Sequence, residues 1–135
     1  MSQRVLIVDD SETDRKIIMK VLQDVDPAFE IQTADSGEAA LNIVKEFNPD
    51  LAFLDVNMPQ DNGFDICQKI KEINPNLKVV ILTGATDSVH YKRTVESQAD
   101  GYINKNSIQK SLKITLNRIR FSPSRPSDKS SEAQN

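Results

Sequence analysis

Apolar residues along this chain fall into two kinds of run. Val5-Leu6-Ile7-Val8, Leu51-Ala52-Phe53-Leu54 and Val79-Val80-Ile81-Leu82 are apolar without interruption. Such runs predict strands buried on both faces, as in a parallel sheet covered by helices. Glu30-Ile31-Gln32-Thr33-Ala34 alternates instead, which predicts a half-exposed edge strand, and Gly101-Tyr102-Ile103-Asn104 is a shorter fifth run. Between them apolar residues recur at helical spacing: Ile17, Ile18, Val21, Leu22 and Val25, then Ala40, Ile43, Val44 and Phe47. Ile66, Cys67, Ile70 and Ile73 form a third stripe, and Ile108, Leu112, Thr115, Leu116 and Ile119 form the last. Residues 87 to 98 predict a weakly amphipathic helix.

Punctuation supports these elements. Ser11-Glu12-Thr13-Asp14 has the capping-box form, in which Ser11 and Asp14 satisfy free N–H groups at a helix start. Asp35 to Gly37 predict a turn and cap, and Met58 to Gly63 a loop. Asp26-Pro27, Asn48-Pro49 and Asn74-Pro75 stop the first three helices, and the last helix is expected from Ser107 to Arg120. The pattern is (βα)5, an α/β fold with helices on both faces of one sheet and right-handed crossovers. From Ser122 onward Ser and Pro dominate, which predicts a domain at 1–121 and a disordered tail at 122–135.

Four of the five strands present polar, chemically active residues at their C-terminal ends. The first run leads into Asp9-Asp10, the run at 51–54 into Asp55, the run at 79–82 into Thr83-Gly84, and the last into Lys105. In open α/β sheets this carboxyl edge is where ligands bind. The four ends supply three acids, a hydroxyl and an ammonium.

Composition narrows the class without naming the chemistry. The chain has 135 residues, 38% hydrophobic and 27% charged, as in an ordinary globular domain. Cys67, the single cysteine, excludes an internal disulfide and any cysteine-based zinc site; its place on an apolar stripe predicts a core thiol. No apolar run approaches the ~20 residues of a membrane span. A strand almost at the first residue leaves no room for a signal peptide, so the expected location is cytoplasmic. The net charge of −3 is uneven: residues 1–87 carry 8 basic and 16 acidic side chains, residues 88–135 carry 9 and 4. A charged partner or a solvated helix face accounts for this polarity equally well. His90 has no visible partner and is given no catalytic role.

Three carboxylates brought together repel one another unless a cation arrives. Asp9, Asp10 and Asp55 therefore read as a site for a hard divalent ion, and magnesium, which retains waters and takes few carboxylates, fits better than calcium. Lys105 supplies a point charge for a phosphoryl oxygen, Thr83 a hydroxyl, and a carboxylate can be the nucleophile. The combination reads as magnesium-assisted phosphoryl transfer onto an aspartate.

In order and spacing, Asp9-Asp10, Asp55 with Met58-Pro59 and Gly63, Thr83-Gly84 and Lys105 resemble the CheY-like receiver domain of two-component response regulators. The likeness runs from residue 4 to about 120. It implies a flavodoxin-like three-layer α/β/α sandwich with strand order 2-1-3-4-5. Asp55 is then the phosphoacceptor; Asp10, Asp55 and the Asn57 backbone carbonyl hold Mg²⁺, and Asp9 assists through water. Thr83 and Lys105 read the phosphoryl group, and Tyr102 is either the switch aromatic or an ordinary strand aromatic. The implied protein is a single-domain phosphorylation switch rather than a turnover enzyme. Its donor is a sensor histidine kinase or histidine phosphotransfer protein, and its target a protein docked on the face of residues 87–120. Nucleic acid is not expected, since the chain is acidic and carries no recognition motif.

Two departures stand out. Asn106 follows Lys105 where the family usually has proline, so a trans bond and an altered loop are expected. Gln98 stands where glycine is common before Ala99-Asp100-Gly101. A haloacid-dehalogenase-type phosphatase needs a general acid at the position of Asn57, whose amide cannot serve. A flavodoxin-like nucleotide binder would meet repulsion at Asp9-Asp10-Ser11-Glu12. A non-phosphorylated pseudo-receiver would have no use for the full set of acids, hydroxyl and lysine.

Overall fold

The computed structural model describes residues 3–84 and 88–120. In chain order it comprises β1 (Arg4–Val8), α1 (Glu12–Val25), β2 (Glu30–Ala34), α2 (Gly37–Phe47), β3 (Leu51–Asp55) and α3 (Gly63–Ile73). Then follow β4 (Lys78–Thr83), α4 (Ser88–Glu96), β5 (Gly101–Asn104), a 3₁₀ turn (Lys105–Ser107) and α5 (Ile108–Arg120). All strand pairs are parallel, in the order β2-β1-β3-β4-β5. The alternating strand is therefore at an edge, as its pattern predicts. Residue 87, the His90 side chain and the tail at 122–135 lie outside the described residues.

The unbroken runs are buried on both faces because successive side chains point to opposite sides. Leu6, Val8, Ala52, Leu54, Val79 and Ile81 pack under α2 and α3 with Val44, Ile66, Cys67 and Ile70. Val5, Ile7, Phe53, Val80, Leu82 and Ile103 pack under α1 and α5 with Ile18, Leu22, Leu112 and Leu116. Fully burying one such side chain contributes about 1.5–3 kcal/mol. Cys67 is buried, and its thiol donates to the Ser97 carbonyl at 3.4 Å, as a core cysteine would.

The three X-Pro stops each have a backbone cause. Asp26 and Asn74 are extended, with φ of −152° and −144°, while Asn48 takes the left-handed region at φ 53°, which Asn tolerates. The last helix begins one residue later than expected, because Lys105–Ser107 form the tighter turn in which Asn104 Oδ1 accepts from Asn106 N at 2.8 Å. No peptide bond among the described residues is cis.

Register brings the strand ends together. Val8 pairs with Leu54, Asp55 with Leu82, and Thr83 with Asn104, so Asp9, Asp55, Thr83 and Lys105 emerge along one edge. A cavity of about 700 Å³ opens at the opposite edge, lined among others by Gln3, Asp50, Leu51 and Lys78, far from this chemistry.

Candidate functional site

Asp55 ends β3 at 2% exposure and is held from two sides. Its Oδ1 accepts from the Asn57 N–H at 2.9 Å, an Asx turn formed as the chain leaves the sheet. Its Oδ2 lies 3.2 Å from Lys105 Nζ. Gly63 permits this turn, because a Cβ there would meet the Asp55 carbonyl at 2.7 Å and Val56 Cγ1 at 2.8 Å. The Asn57 side chain reaches over β4, where Nδ2 donates to Thr83 Oγ1 at 3.4 Å, and Thr83 itself is fully buried.

Asp9 and Asp10 leave β1 in different environments. Asp10 is exposed, whereas Asp9 is fully buried, its Oδ1 accepting from Ser11 N at 2.9 Å. Asp9 Oδ2 lies 2.7 Å from Lys105 Nζ, yet the approach is too oblique for a directed hydrogen bond, so this buried oxygen has an ion-pair partner only. Burial pushes the Asp9 carboxyl above its ordinary value of 3.8, and the Asp55 charge adds to the rise against the pull of Lys105 and Ser11. Burial pulls the Lys105 ammonium down, but Asp9, Asp14 and Asp55 outweigh it and hold the group above its ordinary 10.5.

Asp14 belongs to this site although its sequence context points to a capping box. Only half of that box forms: Ser11 Oγ accepts from Asp14 N at 3.2 Å. The Ser11 N–H is taken by Asp9, which leaves the Asp14 carboxylate to accept from Lys105 Nζ at 2.9 Å. Arg15 closes the lower side, Nη1 donating to the Asp9 carbonyl at 2.6 Å.

One ligand atom from each of Asp9, Asp10 and Asp55 lies within 4.8 Å of the others, a group of hard oxygen donors that could hold a metal ion. Asp9 Oδ2, buried without a directed hydrogen bond, adds the undercompensated negative charge such an ion would relieve. Tyr102 sits on β5 opposite Ile81, half-buried against the cluster under α2 and α3.

A sequence profile for the response regulator receiver domain matches residues 5–117, on the fold whose strand order and acidic edge are described above. The chain belongs to this family. As a receiver domain it is 35% identical over 106 residues to the chemotaxis protein CheY of Halobacterium salinarum, covering 78% of this chain and 86% of that protein. It is also 35% identical over 102 residues to the response regulator GacA of Pseudomonas viridiflava, covering 76% of this chain and 48% of that one. Against relatives of the second kind the receiver spans about half the relative's length. Among solved structures, chemotaxis protein CheY4 of Vibrio cholerae superposes with a TM-score of 0.80 at 28% identity, over 87% of this chain and 98% of that one. No described helix is long and apolar enough to cross a membrane.

Proposed function

We propose that this receiver accepts a phosphoryl group on Asp55 in a magnesium-dependent reaction and passes the signal to a protein partner by a conformational switch. The observation that carries the reading is the convergence of Lys105 and the Asn57 N–H on the two oxygens of Asp55, at 3.2 and 2.9 Å. Asp10, Asp55 and the Asn57 carbonyl would hold Mg²⁺, with Asp9 assisting through water. When bound, the ion neutralises phosphoryl oxygens that three carboxylates would otherwise repel.

Asp55 Oδ2 attacks phosphorus while the bond from phosphorus to the donor's nitrogen or oxygen breaks, its electron pair leaving with the donor. The donor is a sensor histidine kinase or a histidine phosphotransfer protein. Lys105 pairs one phosphoryl oxygen and Thr83 donates to another. Hydrolysis reverses the state: water attacks phosphorus, the acyl phosphate bond breaks, and inorganic phosphate leaves Asp55 as a carboxylate. The protein is thus a self-modifying switch rather than a turnover enzyme, acting as one domain over residues 1–121 in the cytoplasm.

The output surface is the face of α4, β5 and α5, biased by Thr83 and Tyr102. Intact-mass measurement after incubation with Mg²⁺ and acetyl phosphate tests the chemistry. The expected gain is one phosphoryl group, absent from Asp55→Asn; equal labelling of that variant would remove Asp55 from its role.

A further inference from the structure

Lys105 has three N–H donors and three carboxylates around it: Asp9 Oδ2 at 2.7 Å, Asp14 Oδ2 at 2.9 Å and Asp55 Oδ2 at 3.2 Å. Of the three, only Asp14 accepts a directed hydrogen bond from this ammonium, so a phosphoryl oxygen arriving there competes with that carboxylate. The three differ in what release costs. Asp9 is 0% exposed, so water cannot take over its oxygens if the ammonium leaves. Asp55 is the acceptor and stays attached to the incoming group. Asp14 has a side chain 37% exposed, so water can take over its oxygens. It also lies in the first turn of α1, where the helix N-terminus favours a negative charge.

We infer that Asp14 is a positioning residue, a placeholder that holds Lys105 in the resting state and is displaced from it by the phosphoryl group. The inference rests on the phosphoryl-acceptor reading of Asp55. Asp14 competes with the phosphoryl group for one directed donor and repels the same group through space. Its presence therefore lowers the affinity of the pocket for a phosphoryl mimic, and in doing so deepens the difference between the two states. The backbone role of the residue is separate, since the Ser11 cap engages Asp14 N rather than its carboxylate.

Beryllofluoride titrated into the Mg²⁺-saturated protein, followed by amide chemical shifts, tests this. Asp14→Asn should bind the mimic roughly three- to tenfold more tightly than the parent, the scale of one charge-assisted hydrogen bond at a half-exposed site. Asp14→Glu, which returns the carboxylate, should return the affinity towards the parent's. In the parent, the ¹³C carboxyl resonance of Asp14 should move as the mimic binds. Parent binding with an unchanged or weakened Asp14→Asn, or with a silent Asp14 carboxyl, overturns this inference alone. No beryllofluoride binding by either protein overturns the phosphoryl-acceptor reading and this inference with it.

Discussion

The Lys71 ammonium lies 2.5 Å from Asp100 Oδ2, and both side chains are nearly buried, at 5% and 11% exposure. Lys71 also donates to the Leu77 carbonyl at 2.7 Å, and the same Asp100 oxygen accepts from Val79 N at 2.9 Å. The pair ties α3 to the start of β4 and the entry to β5. Removing one partner of a buried pair strands the other charge and costs about 3–5 kcal/mol. Lys71→Ala should lose stability on that scale in urea unfolding. The double variant Lys71→Met with Asp100→Asn should recover part of the loss; no recovery would mean the cost lies in packing rather than in the stranded charge.

Gln98 occupies the left-handed region at φ 69° and is exposed at the turn before β5. A side chain there costs about 1–2 kcal/mol, offset in part by the greater freedom glycine has when unfolded. Gln98→Gly should raise stability by about 1 kcal/mol, and Gln98→Val should lower it. Both should shift the denaturant midpoint with an unchanged slope. A destabilised glycine variant would show that the Gln98 side chain makes a contact worth more than the strain.

The legible and illegible parts of this molecule divide by range. Asp55, Thr83 and Lys105 could be placed at one edge because each follows a buried run, and a parallel sheet aligns such ends. Gln98 stood out only as a residue where glycine is common; that the backbone there takes a positive φ, and so strains a side chain, shows only in the fold. Asp14 was different. Ser11-Glu12-Thr13-Asp14 is a local pattern, but the carboxylate answers to Lys105, 91 residues away. Lys71 follows Ile70 on a helix with nothing to mark it as buried, because its partner Asp100 is 29 residues on and only the packed sheet makes them neighbours. Choices made between distant charges leave no periodic trace.

Asp9 sets a pH dependence in metal-free protein. Burial raises its folded-state carboxyl above the ordinary 3.8, so the folded state favours the protonated form. The Asp9 contribution is therefore most favourable below 3.8 and is lost as pH rises through the raised value. Asp9→Asn should accordingly be more stable than the parent at pH 7 in EDTA, with the advantage shrinking as pH falls towards 4. Lys105 acts at the other end: its raised value makes its contribution complete below 10.5 and lost above. Thermal midpoints across pH check both, and an Asp9→Asn advantage that grows on acidification would contradict the first.

Asp10 is the exposed member of the acidic cluster, so its loss should alter metal binding more than folding. Asp10→Ala should weaken magnesium binding by roughly an order of magnitude or more. Because one repelling carboxylate is gone, the metal-free variant should be no less stable than the parent, and added Mg²⁺ should raise its midpoint less. Equal magnesium affinity, measured by titration of amide shifts, would exclude Asp10 as a ligand.

The last prediction concerns how the signal leaves the pocket. Thr83 pairs with Asn104 and Ile81 with Tyr102, so the Thr83 hydroxyl and the half-buried aromatic lie two residues apart on adjacent strands. If Asp55 is phosphorylated as proposed, a shift of Thr83 towards the phosphoryl group would change the space beside Tyr102 and so the packing of that ring. Val95 on α4 and Ile114 on α5 are exposed, at 59% and 62%, and Lys92 and Lys110 on the same two helices are exposed cations. Arg93 on the same helix stacks over the Phe64 ring at 4.8 Å, a contact that links this face to α3. Exposed apolar groups and cations on α4 and α5 suit a partner that is acidic around an apolar anchor, and binding to it should weaken as salt screens the charges. Beryllofluoride with Mg²⁺ should therefore move the amide shifts of Tyr102 and residues 92–98 as well as those around Asp55. Tyr102→Ala should keep the pocket's response and lose the response of α4. Shifts confined to the Asp55 pocket in the parent would place the output elsewhere on the molecule.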